Sequence, residues 1–243
     1  MTKPSIVIVP GSFTAQGIYQ DVVDRLRAKG FPALAIDLLS SQKRLGLEPA
    51  TMQDDAKHVR AVAETLIAQG KEVVVLCHSY GGVPTTQGLA GVPVKRIIYL
   101  TAVAPKVGET HAESMPGPTI DALLKSSVGG YMHSDPVQLA GGLGTDFDSW
   151  EYAYECALKL PHHSTVSFTE KVTQAAYETV PVSYIFTEKD VILTPEHQES
   201  YINLIEEVKG SKIDVIRKPW GHCPNWSQPE ELIDMVVGEA EKK

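Results

Sequence analysis

Val73-Val74-Val75-Leu76-Cys77-His78-Ser79-Tyr80-Gly81-Gly82 is the stretch on which the fold turns. Its apolar opening, mostly β-branched, reads as a strand buried on both faces. A serine follows almost at once, and a glycine pair stands where a helix should begin. Such a turn holds a hydroxyl on a tight, strained bend beside backbone N–H groups, as nucleophilic acyl transfer requires. The usual elbow pattern is G-x-S-x-G, and Cys77 here takes the place of the first glycine. Cysteine is small enough to stand there at some cost in strain. A bare S-x-G is common in chains of this size, so the reading rests on the strand before it and the glycines after it.

Chain order supplies the rest. A serine hydrolase built this way needs a carboxylate and then a histidine downstream, each just past a strand. Pro181-Val182-Ser183-Tyr184-Ile185-Phe186 reads as a strand, and Thr187-Glu188-Lys189-Asp190 as the loop leaving it. Ile213-Asp214-Val215-Ile216-Arg217-Lys218 reads as a later strand that runs into Pro219-Trp220-Gly221-His222. Ser79, Asp190 and His222 thus fall in the required order at strand C-terminal ends, the edge where open parallel sheets bind ligands. Asp190 competes with Glu188 for the carboxylate role, and could instead cap the helix that Thr194-Pro195-Glu196 begins. Trp220-Gly221 before His222 and Pro224 after it describe a sharp turn that brings the imidazole inward.

On these motifs, with Val7-Ile8-Val9-Pro10-Gly11-Ser12 at the first strand end and Gly221-His222-Cys223-Pro224, the chain resembles the α/β-hydrolase family nearly end to end. Within it the likeness is to the small-cap branch of methylesterases and hydroxynitrile lyases. The resemblance implies an α/β fold: a mostly parallel central sheet with helices on both faces and an inserted helical cap. It also implies an oxyanion hole. One donor is the Tyr80 N–H at the start of the elbow helix, where the helix dipole helps. The family often places His-Gly before the second donor; Pro10-Gly11-Ser12 here assigns the Ser12 N–H, with Phe13 as the fallback.

At 243 residues the chain suits one large α/β domain. Strand and helix patterns alternate, as in a parallel sheet covered on both sides. Ser5–Val9, 33–36 and 96–100 read as further strands. Ile18, Val22, Val23 and Leu26 mark one helix face, and Val59, Val62, Ala63, Leu66 and Ile67 another. From about 105 to 180 the rhythm fails: glycine and proline recur among helical fragments. The division expected is a core of 1–104 and 181–243 with a cap at 105–180, since lids with glycine hinges suit a buried site. Phe13, His78, Met132, Trp150 and Tyr154 are the residues expected to shape its apolar pocket, with His78 also expected to pack against the cap.

A formal charge of −8 without a basic cluster argues against nucleic acid and anionic membrane surfaces. No apolar run approaches the roughly 20 residues that span a bilayer. The chain enters a strand by Ser5, which leaves no room for a signal peptide. Cys77, Cys156 and Cys223 lack metal or disulfide spacing, fitting a reducing, cytoplasmic location. His162-His163 offers no third ligand at useful spacing, so no metal is expected. An exposed cap face would suit a homodimer.

The leading functional expectation is a cofactor-free serine esterase of small carboxylic esters. A C–C bond hydrolase or lyase of β-diketones or polyketides could use the same triad. The related hydroxynitrile lyases typically carry lysine after the catalytic histidine, where this chain has Cys223. A non-catalytic small-molecule receptor is the remaining alternative; a missing triad member would have favoured it, and none is missing.

Overall fold

The computed structural model describes residues 3–160 and 162–242; Met1, Thr2, Pro161 and Lys243 lie outside them. Ser5–Val9 forms β1, and Gln20–Ala28 forms α1, which ends before Gly30 at φ +83°. β2 is Ala33–Ala35, shorter than the 33–36 expected. α2, Met52–Ala68, starts on a capping box in which Thr51 and Asp54 each satisfy the other's backbone N–H. Then come β3 (Val73–Ser79), α3 (Gly82–Gly88) and β4 (Arg96–Ala102).

Between β4 and the next core strand the chain leaves the sheet. This insertion carries α4 (His111–Ser114), α5 (Pro118–Lys125), β5 (Tyr131–Met132), α6 (Pro136–Leu143), α7 (Trp150–Ala157), β6 (His163–Ser164) and α8 (Val166–Thr169). β5 and β6 pair antiparallel as a small ribbon of their own. Backbone hydrogen bonds between Gly108–Glu109 and Val172 close the base of the insertion. The core resumes with β7 (Val182–Thr187), α9 (Pro195–Lys209), β8 (Asp214–Lys218), α10 (Pro224–Ser227) and α11 (Pro229–Glu241).

The main sheet has six strands in the order β2-β1-β3-β4-β7-β8, every pairing parallel. Alternation within the apolar runs explains why both faces are covered. Ile6, Ile8, Val74, Leu76, Ile98 and Leu100 point to a core closed by α1 and α11. Val7, Val9, Val75, Cys77, Ile97 and Tyr99 point the other way, into a core shared with α2, α3, α9 and the insertion. From β1 the chain moves outward to β2, then returns to lay β3 on β1's other side. That reversal opens a crevice between the C-terminal ends of β1 and β3.

β4 also carries an irregularity with consequences. His78 pairs with Leu100 and Ser79 with Ala102, so Thr101 is an extra residue in the ladder. Its φ of +34° is unusual for a β-branched residue.

Candidate active site

Ser79 ends β3 at φ +53°, a left-handed conformation that a non-glycine residue adopts only where its surroundings enforce it. The enforcement is visible in the glycines. A Cβ on Gly81 would stand 2.4 Å from the Pro10 carbonyl oxygen, and one on Gly82 would stand 2.2 Å from that of Val103. Gly11 faces the nucleophilic turn from β1, with its hypothetical Cβ 3.1 Å from Ser79 Cβ. Crowding comes from three sides, and only backbone fits between them. Cys77, the departure from the usual pattern, is fully buried and directs its thiol toward the Ile98 carbonyl at 3.6 Å.

Among the described residues, the non-glycine residues at positive φ are Phe13, Ser79 and Thr101. All three converge on one place. Ser79 Oγ lies 3.1 Å from His222 Nε2, and His222 Nδ1–H donates to Asp190 Oδ2 at 2.6 Å. The Asp190 bond fixes the tautomer, leaving Nε2 free to accept the serine proton. Asp190 is itself held on both oxygens: Thr101 Oγ1 donates to Oδ2 at 2.6 Å, and the N–H groups of Ile192 and Leu193 donate to Oδ1 at 2.8 and 2.9 Å. Burial alone would raise this carboxyl, but His222, Thr101 and the Leu193 N–H outweigh it and hold it below the ordinary carboxylate range. The arrangement fits a Ser-His-Asp triad. Glu188, the competing carboxylate, is exposed and its backbone pairs with Lys218.

Ser79 and His222 stand at the wall of a cavity of about 530 Å³, within the range that encloses small molecules, with Asp190 buried behind the ring. Its apolar lining comes from Ile18 after β1, from Leu123, Leu139, Leu143 and Leu160 of the insertion, and from Trp226 of α10. Of the residues expected to shape the pocket, Phe13 and His78 line it. Met132, Trp150 and Tyr154 do not, which corrects the expectation. Met132 is fully buried in β5, while Trp150 is 52% exposed and stacks at 5.1 Å on Tyr154, which packs against the core. The leucines of α5 and α6 occupy the wall instead, and Trp226 of α10 completes it.

His78 does not pack against the insertion either. Its Nε2–H donates to the His222 carbonyl at 2.8 Å, so its Nδ1 accepts from the Tyr19 hydroxyl. Burial, and then the neighbouring His222, push its pKa down to about 3, so it stays neutral and acts as a strut under the catalytic loop. The thiols of Cys77 and Cys223 are both raised by burial, which leaves them protonated.

Ser12 and Tyr80 flank Ser79 across the crevice between β1 and β3. Among the described residues neither of their N–H groups has a protein acceptor. The Phe13 N–H, by contrast, is committed to His163 Nδ1 at 3.2 Å. His163 uses both ring nitrogens on protein partners, since Nε2–H donates to Ser167 Oγ at 3.0 Å. Among the described residues there is no group of His, Cys, Asp and Glu able to hold a metal ion, and no helix long and apolar enough to cross a membrane.

Comparison with known proteins agrees with the fold. A family described as the alpha/beta hydrolase family matches residues 6–235. A probable hydrolase, R7, from a Phoma species is 45% identical over 241 residues, covering 98% of each chain. A pyrethroid hydrolase from Sphingobium wenxiniae is 26% identical, over 99% of this chain and 89% of its own. Among solved structures, an extracellular alpha/beta-hydrolase from a Paenibacillus species superposes with a TM-score of 0.80 at 18% identity, covering 98% of this chain and all of the other.

Proposed function

The chain belongs to the alpha/beta hydrolase family, and we propose that within it the protein is a serine esterase of small carboxylic esters, working through an acyl-enzyme on Ser79. The observation that carries this reading is the 3.1 Å approach of Ser79 Oγ to His222 Nε2 beside an apolar cavity, with Asp190 bound behind the ring. As the hydroxyl attacks the ester carbonyl, His222 takes its proton, and Asp190 stabilises the imidazolium that forms. The N–H groups of Ser12 and Tyr80 receive the tetrahedral oxyanion. Losing one such donor commonly costs about 3 kcal/mol of transition-state stabilisation. His222 then protonates the leaving alkoxide, and water, activated by the same imidazole, releases the acid.

The insertion serves as the cap. α5 and α6 set Leu123, Leu139 and Leu143 into the apolar wall, so substrate selection lies partly there, while the core supplies the chemistry. The cavity volume and lining suit an ester with a compact hydrocarbon or aromatic portion. The Sphingobium relative is named as a pyrethroid hydrolase, which supports hydrolysis of a small molecule as the reaction class.

A serine-directed fluorophosphonate tests the reading. The folded protein should label at Ser79 and hydrolyse p-nitrophenyl esters, and Ser79→Ala should abolish both. Intact folded protein that neither labels nor turns over any ester of a graded acyl series would overturn it.

A further inference from the structure

We propose, resting on Ser79 as the nucleophile, that His163 of the insertion is a positioning residue for the oxyanion hole, touching Tyr80, which carries one donor, and Phe13, which follows the residue that carries the other. His163 lies in β6, 150 positions from Phe13, and is fully buried. Its Nδ1 accepts from the Phe13 N–H at 3.2 Å and lies 3.1 Å from Ser41 Oγ. Its Nε2–H donates to Ser167 Oγ at 3.0 Å, and Ser167 passes its own proton to the Ser164 carbonyl at 2.8 Å. This chain of donors leaves one tautomer: Nδ1 bare, Nε2 protonated. Burial, and then His111 and His162, lower its pKa well below the usual value, so it stays in that neutral form.

The first contact orients the peptide joining Ser12 to Phe13. Phe13 is held at φ +63°, and its N–H turns away from the crevice toward the insertion. The Ser12 N–H remains as the free donor on that side. The second contact is with Tyr80, whose N–H is the other donor. The His163 ring meets the Tyr80 ring edge-to-face at 4.7 Å, and Phe168 stacks on Tyr80 at 5.3 Å. The far end of Tyr80 is tied as well. Its hydroxyl donates to Asp55 at 3.1 Å, and Asp55 also accepts from the Ser40 hydroxyl and N–H. Ser40 binds Asp55 and adjacent Ser41 binds His163, so one short turn after β2 joins the two supports.

A hole built this way is finished only when the insertion is seated. Its effect belongs to the transition state, because the oxyanion exists only there. Losing His163 should therefore lower kcat and leave KM nearly unchanged. Displacements of about 1 Å at such a site cost up to 10²-fold.

The test uses the full-length chain, p-nitrophenyl butyrate and a fluorophosphonate probe. His163→Leu removes the acceptor at similar volume; His163→Asn puts an amide oxygen near the place of Nδ1. The Leu variant should lose about tenfold to hundredfold in kcat, with KM within about twofold and phosphonylation slowed by the same factor. The Asn variant should recover most of both rates. Should the Leu variant fail to fold, Ser167→Ala frees the ring to switch tautomer and should cut kcat several-fold at constant KM. Equal losses in the Leu and Asn variants, losses confined to KM, or an unchanged Ser167→Ala would overturn the proposal while esterase activity stood. A wild-type protein inert to both reagents would overturn this role and the esterase reading together.

Discussion

Thr101 shows how much of a catalytic site can hang on one displaced residue. An extra position in β4, held at φ +34°, turns its hydroxyl onto Asp190, 2.6 Å away. Thr101→Val keeps the branch and removes the donor. We expect kcat to fall about tenfold, while Thr101→Ser stays near wild type; steady-state kinetics on one ester separates the pair. Nothing in the local sequence marks Thr101, because its role depends on the register between β3 and β4. Ser79, Asp190 and His222 were legible because the turn around each carries its own signature: glycines, a strand end, a proline. Cys77 was legible as a departure, and its buried thiol explains the tolerance. Cys77→Gly should destabilise the fold by about 2 kcal/mol in urea unfolding, through a lost side chain and a looser strand, with kcat unaltered.

Continuous apolar runs identified the core strands, which are buried on both faces, and 3.6-residue periodicity the long helices, which bury one; their ends differ from expectation by a residue or two. The insertion gave no such signal. α4 to α8 are one to two turns long, too short for a 3.6-residue repeat to declare which side faces inward. Hence Met132, Trp150 and Tyr154 read as pocket residues by their size, whereas the wall belongs to leucines of α5 and α6. In the sequence His163 reads only as half of an adjacent pair, with no sign of Phe13, which folding alone brings near it. The insertion also touches the catalytic loop directly. A Cβ on Gly221 would stand 2.4 Å from Thr145 Oγ1 and 2.5 Å from Asp146 Oδ1. Gly221→Ala should therefore push these elements apart, costing about 1–3 kcal/mol and more than tenfold in kcat as His222 shifts. Denaturant unfolding and kinetics on the same sample check both numbers.

Across the molecule, burial has left several titratable groups in their neutral forms. His78 and His111 are pushed down to about 3 by burial, and His163 is lowered in the same way. The unfolded chain binds these protons near pH 6.5, so their contribution is complete above that value and is lost as pH falls toward 3. At pH 5, His78 and His111 should each cost about 2 kcal/mol. Asp55 runs the other way: burial raises it to about 6, so its contribution is present below about pH 4 and fades as pH rises through 6. The histidines outnumber it, and stability should drop by a few kcal/mol between pH 7 and pH 5. His111 makes the case testable, since its Nδ1 is buried without a partner among the described residues and it takes no part in the proposed chemistry. His111→Leu should recover about 2 kcal/mol at pH 5 relative to pH 7, read from urea midpoints at both. An acid limb that His111→Leu leaves untouched would place the sensitivity elsewhere.

The order of the parts along the chain has a further consequence. In the proposed mechanism the attacking serine is made at position 79, and the groups that assist it follow only at 190 and 222. Domains assemble N-terminus first during translation. A growing polypeptide therefore carries an unassisted Ser79 hydroxyl until residue 222 has left the ribosome. On the esterase reading proposed above, a product cut short before residue 222 would lack the imidazole that assists Ser79.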